Sequence, residues 1–164
     1  MPMIEIIVDA DEEPFEPPQL IDAAVKAACS VAGFTAAEPA SEPKLCIRFA
    51  SDHAIRALNK QWRSKDAVTD VLAFPMQQAP FDWSESLGDI ALAAPLIQQE
   101  AARLDLAVHA HTLHLIIHAT LHLLGFDHIQ DHDASIMQKL ENAAMQEIGL
   151  HRPYAVEHNP MAQA

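Results

Sequence analysis

His118-Ala-Thr-Leu-His122-Leu-Leu-Gly125-Phe-Asp127-His128 is the stretch that fixes how this chain folds and where its chemistry lies. Side chains four apart stack on one helical face, so His118 and His122 are neighbours on a predicted helix from about Val108 to Leu124. Leu113, Ile116, Ile117, Thr120, Leu121 and Leu124 recur at helical spacing and form its expected buried side. Gly125 then supplies a residue that accepts positive φ, the common way for a helix to stop. The turn can bring His128 back towards the other two rings. Three imidazoles converging in this way leave a tetrahedral zinc one open position.

The His-x3-His-x2-Gly-x2-His spacing equals that of the metzincin signature, with one part missing: Ala119 stands where such a peptidase has its glutamate base. Ten histidines are present, and His109, His111, His114, His118 and His122 lie along one segment, so burial of some rings in an amphipathic helix is the competing reading. The added offsets of Gly125 and His128 favour a metal. His114 pairs with His118 at i, i+4 but has no third partner at a natural distance, which leaves it on the helix surface or behind the site. His132 is a weaker ligand candidate. Asp127 either forms a turn or hydrogen-bonds an imidazole or an amide.

Outward from this segment, Asp131 to Ile148 is expected to form the last helix, ended by Gly149, with a loose tail beyond Tyr154. Towards the N-terminus, Pro95 to Leu104 reads as a helix, and Asp89 to Ala93 as a strand. Thr69 to Phe74, closed by Pro75, is another strand, with a proline-containing loop to about Leu87. Ser51 or Asp52 can cap a helix bearing Ile55, Leu58 and Trp62. Leu45, Ile47 and Phe49 alternate with Cys46 and Arg48 as in a half-buried strand. Pro18 to Gly33 carries helical spacing, and Met3 to Val8 is an isoleucine-rich strand. Asp11 to Pro18 and residues 34–43 read as loop and linker. These elements imply an α+β fold: a single small mixed sheet of about four strands covered by helices, with a His-bearing central helix. Residues 1–155 are expected to form a single metal-dependent hydrolase domain, followed by a loose tail at 156–164.

Half the chain is apolar, yet no uninterrupted apolar run approaches the length of a membrane span. The N-terminus has neither a basic start nor a small-residue cleavage site. Cys29 and Cys46 make neither a metal pair nor a disulfide framework, which suits a reducing cytoplasm. The net charge of −13 argues on its own against a nucleic-acid partner. Its distribution qualifies that conclusion, because Arg48, Arg56, Lys60, Arg63 and Lys65 crowd together. Arg56, Lys60 and Arg63 follow i, i+4, i+7 spacing, giving either a solvated helix face or a local patch that focuses a polyanion.

Two further stretches complete the pattern: Leu58-Asn-Lys60-Gln-Trp62-Arg63-Ser-Lys65-Asp66-Ala-Val-Thr69-Asp70-Val-Leu-Ala73-Phe74-Pro75, and Leu87-Gly88-Asp89-Ile-Ala-Leu92. With the histidine run, and in this order, they resemble the YbeY family of bacterial endoribonucleases, also described as rRNA maturation factors. The resemblance spans roughly residues 3 to 150. By position it implies His118, His122 and His128 as ligands of one zinc ion per chain, and Arg63 as the catalytic arginine near the metal. It also implies a single-stranded RNA substrate, 16S rRNA 3′-end maturation, ribosome quality control, and work around the small ribosomal subunit and its factors. The chain departs from the family at Ala119 for glycine, Ala73 for serine and Trp62 for tyrosine, none of which removes a ligand or a charge.

A zinc held by three neutral histidines brings bound water to a pKa of about 7 and polarises a phosphoryl oxygen. Arg63 offers a planar bidentate grip on phosphate, unless a salt bridge with Asp66 or Asp70 engages it instead. Either metal-activated water or the RNA 2′-hydroxyl can attack. Asp89, after Gly88, is expected to fix a turn, and Asp70 to cap or to pair with a basic side chain. Two other functions remain open: a metallopeptidase-like zinc hydrolase, which Ala119 opposes, and a non-enzymatic ribosome-binding factor whose zinc is structural.

Overall fold

A computed structural model describes residues 4–8, 17–34 and 42–154. Most of the expected acidic loop after Asp11, most of the linker at 34–43, and the tail at 156–164 lie outside the described residues. The chain runs β1 (Ile4–Val8), α1 (Pro18–Val31), β2 (Leu45–Ala50), α2 (Asp52–Arg63), β3 (Val71–Pro75), β4 (Gly88–Ala93), α3 (Ala94–Leu104), α4 (Val108–Leu123) and α5 (Asp131–Glu147). Each expected element is present, with ends shifted by a residue or two.

The strands form one mixed sheet in the order β1-β2-β4-β3. β1, β2 and β4 are parallel, and β3 closes the edge antiparallel to β4. Alternation sends Leu45, Ile47, Phe49, Ile90 and Leu92 to one face, where they join Ile21, Val25, Ile116, Ile117, Leu121 and Met145 in the main core. α1, α4 and α5 therefore cover that face. On the opposite face Ile55 of α2 packs with Ala50, Leu72, Ala91 and Ala93 in a smaller cluster.

Only one side of α4 was expected to be buried, but burial extends almost all round it, including Leu115, Ala119 and Leu123. A helix buried on all but its histidine face has to be enclosed, and α1, α3, α5 and the sheet enclose this one. It is thus the rigid axis from which the histidines project. At the sheet's edge Gly88 takes φ +147°, and a Cβ there would lie 2.3 Å from the Phe74 carbonyl oxygen. No other residue lets β4 pass so close to the end of β3. Asp89, expected to fix a turn, is instead an exposed residue within β4, opposite Cys46 and Phe74; Gly88 supplies the backbone freedom itself. No helix among the described residues is long and apolar enough to cross a membrane.

Candidate metal centre

α4 ends as its sequence implies. Gly125 has φ +101°, its N–H donates to the His122 carbonyl at 3.0 Å, and the Phe126 N–H donates to the Leu121 carbonyl at 3.0 Å. Asp127 then closes a short turn by accepting from the Ile129 N–H at 3.2 Å, which supports its turn-forming reading. These bonds swing His128 back over α4. Ring centroids of His118 and His122 lie 4.7 Å apart, and His128 lies 5.3 and 5.1 Å from them.

The three rings can each direct one nitrogen to a common point, those nitrogens all lying within 4.8 Å of one another. The Nε2 atoms of His118 and His122 are 3.2 Å apart. Two imidazoles on a tetrahedral zinc, with bonds of about 2.0–2.1 Å, would stand about 3.3 Å apart. The residues therefore fit such an ion. Burial, then the neighbouring His118 and His128, push His122 down to about 4, so its ring is neutral near pH 7 and its lone pair is free for a metal.

Behind the rings lies a residue that sequence reasoning missed. Glu141 of α5 is 1% exposed, and its Oε2 accepts from His118 Nδ1 at 2.9 Å. Its Oε1 contacts His114 Nε2 at 2.5 Å and accepts from the Tyr154 hydroxyl at 3.0 Å. Burial alone would push this carboxyl up, but the hydrogen bonds from His114 and His118 outweigh it and hold it at about 2. Glu141 thus puts the His118 proton on Nδ1 and leaves Nε2 as the available donor. His114 is accordingly part of the support behind the site. The signal for Glu141 was its place on the apolar stripe of α5, in step with Met137, Ala144 and Met145.

The centre opens into a cleft of about 910 Å³ that Arg63, Lys65, Asp70, His114 and Tyr154 also line. The local fold of α2 aims Arg63 there. Ser51 caps the helix, accepting from the Ala54 N–H at 3.1 Å, and Ser64 adopts a left-handed conformation at its end. Buried Asn59 then donates to the Ala67 carbonyl at 3.0 Å and pins the following turn. The alternative salt bridge of Arg63 with Asp66 does not form: Asp66 is taken by Arg56 in a bidentate pair at 2.6 and 3.2 Å. Among the described residues no ion pair engages Arg63. The Arg56–Lys60–Arg63 stripe is exposed, with Arg56 neutralised by Asp66. Among the described residues His132 does not join the three-histidine group, and Asp70 lies near Glu100 and His111.

The family model described as Endoribonuclease YbeY matches residues 8–149. An Endoribonuclease YbeY of Rhizorhabdus wittichii is 42% identical over 121 residues, covering 69% of this chain and 72% of its own. That of Bradyrhizobium diazoefficiens is 36% identical over 160 residues, covering 94% and 86%. A Thermotoga maritima protein solved in solution aligns with a TM-score of 0.54 at 21% identity, over 88% of this chain and 91% of its own, a likeness of fold.

Proposed function

The chain belongs to the YbeY endoribonuclease family, and from that premise we propose that it is a zinc-dependent endoribonuclease specific for single strands. Its proposed roles are 16S rRNA 3′-end maturation and ribosome quality control, in the cytoplasm and around the small ribosomal subunit. Residues 1–155 would act as a single hydrolase domain. The observation that carries this reading is one cleft lined both by three converging imidazoles and by an arginine with no carboxylate partner among the described residues.

His118, His122 and His128 would hold the zinc. Bound there, the ion supplies Lewis acidity towards a phosphoryl oxygen and lowers the pKa of a water. Arg63 would grip the scissile phosphate through two parallel N–H bonds and offset the charge that builds on its oxygens. Glu141 and Tyr154 keep the first ring in place, and Glu141 on the Nδ1 side of His118 stands behind the metal position, away from the Nε2 side where a peptidase base would work. The ends of the product separate the two routes of attack. The RNA 2′-hydroxyl leaves a 2′,3′-cyclic phosphate, whereas water leaves a linear one.

Purified protein of measured zinc content, offered single-stranded RNA, duplex RNA and casein, tests this function. Cleavage of the single strand alone, abolished by EDTA and restored by zinc, is the expected result. Casein hydrolysis would replace it with the peptidase reading. RNA binding without turnover by fully metallated protein would leave a ribosome-binding factor.

A further inference from the structure

A second group of side chains of metal-ligating type lies beside the same cleft, which Asp70 and His111 line. Asp70 precedes β3, Glu100 is on α3 and His111 is on α4, so three separate segments bring them together. One ligand atom from each lies within 4.8 Å of the other two, and His111 Nε2 is 2.9 Å from Glu100 Oε1. His111 is 6% exposed, and its Nδ1 is buried with no hydrogen-bond partner. That nitrogen lies on the ring edge away from Glu100, so Nε2 is the atom that His111 offers to the group. The two carboxylates also crowd each other. Burial first, and then Asp70, push Glu100 up against the lowering contact with His111, as expected where two carboxyls approach each other out of water.

We propose that Asp70, Glu100 and His111 form a second divalent-cation site, separate from the three-histidine centre. Two carboxylates with one imidazole make a harder donor set than three imidazoles, and they suit an Mn²⁺-type ion where the first site suits zinc. His111 precedes His118 by seven residues on α4, about 10 Å along the helix axis. The two ions would therefore be too far apart to clamp one phosphate jointly, which needs about 4 Å. The second ion instead faces the cleft, where Asp70 and His111 form part of the lining. There it would turn a negative wall into a seat for a neighbouring phosphate of the strand, in a protein whose net charge of −13 otherwise repels RNA. This last role rests on the endoribonuclease reading; ion binding does not.

The test is titration of zinc-loaded protein with Mn²⁺, following free Mn²⁺ by electron paramagnetic resonance and checking that zinc is retained. One Mn²⁺ per chain is expected in the wild type, bound at least tenfold more weakly by both Asp70→Asn and Glu100→Gln. Both changes preserve side-chain shape, and circular dichroism verifies the fold. If Glu100→Gln fails to fold, Asp70→Asn alone decides. No Mn²⁺ bound by the wild type at millimolar concentration, or equal binding by Asp70→Asn, overturns the site and leaves only an ion pair tying α3 to α4. Fluorescence anisotropy with a 2′-deoxy single strand, which has no attacking hydroxyl, reads the phosphate role. Mn²⁺ should tighten binding about tenfold in the wild type and not in Asp70→Asn. An equal gain in both overturns that role, whereas absence of strand binding under any condition counts against the nuclease reading and leaves the Mn²⁺ titration standing.

Discussion

Glu141 points away from the space between the three rings, yet His114, His118 and Tyr154 all converge on its carboxylate. Partners behind metal-binding histidines typically contribute 10–100-fold to affinity, so Glu141→Gln should weaken zinc binding about that much in a chelator competition while the protein stays folded. Unchanged affinity would reduce Glu141 to a packing residue. Acid acts on the same atoms. His122 lies at about 4 in the folded chain against an ordinary 6.5, so the unfolded state takes up its proton first. Its contribution to stability is complete above 6.5 and is lost as pH falls towards 4. Glu141, at about 2 against 4.5, adds stability above 4.5 that is lost as pH falls through 2. The Tm of the metal-free protein should therefore decline continuously from pH 7 to acid, and a flat profile between 6.5 and 4 would refute the burial of His122. The three histidines were legible because one helix, one glycine and one turn carry them. Glu141 was not, because only the packing of α5 on α4 brings it to His118.

At the scale of elements, glycines with positive φ do different work. Gly125 has open space where a Cβ would stand, so Gly125→Ala meets only backbone strain, about 1–2 kcal/mol. In Gly88→Ala the new Cβ runs into the Phe74 carbonyl oxygen and the Leu123 side chain, and a cost of about 3 kcal/mol or more is expected. Urea unfolding of the two variants checks that order, and equal losses would contradict it. Helix and strand positions followed from periodicity together with cap, proline and glycine signals, since each apolar stripe had a sheet or helix to meet. Trp62 shows where periodicity stops informing. It continues the spacing of Ile55 and Leu58 but is 63% exposed, because α2 covers only part of its sheet face. The grouping of Asp70, Glu100 and His111 was equally illegible, since three segments distant in sequence supply one residue each.

For the whole molecule, charge and shape have to be considered together. A net charge of −13 gives little general attraction for RNA, so binding should depend on the few cations at the cleft, Arg63 and Lys65 among them. Affinity for a short single strand should fall with salt along a shallow slope, consistent with two or three phosphate contacts. A slope of eight or more would mean a broad basic surface that the composition does not provide. Family membership and the four-stranded α+β fold agree with the pattern of motifs along the chain. The direct measurement is RNA cleavage by wild type, Arg63→Ala and His118→Ala, purified in parallel with zinc content determined for each. The cleft predicts one zinc per wild-type chain, cleavage lost in both variants, and zinc retained in folded Arg63→Ala. Cleavage persisting equally in all three would trace it to a contaminant and contradict a catalytic role for the three-histidine centre.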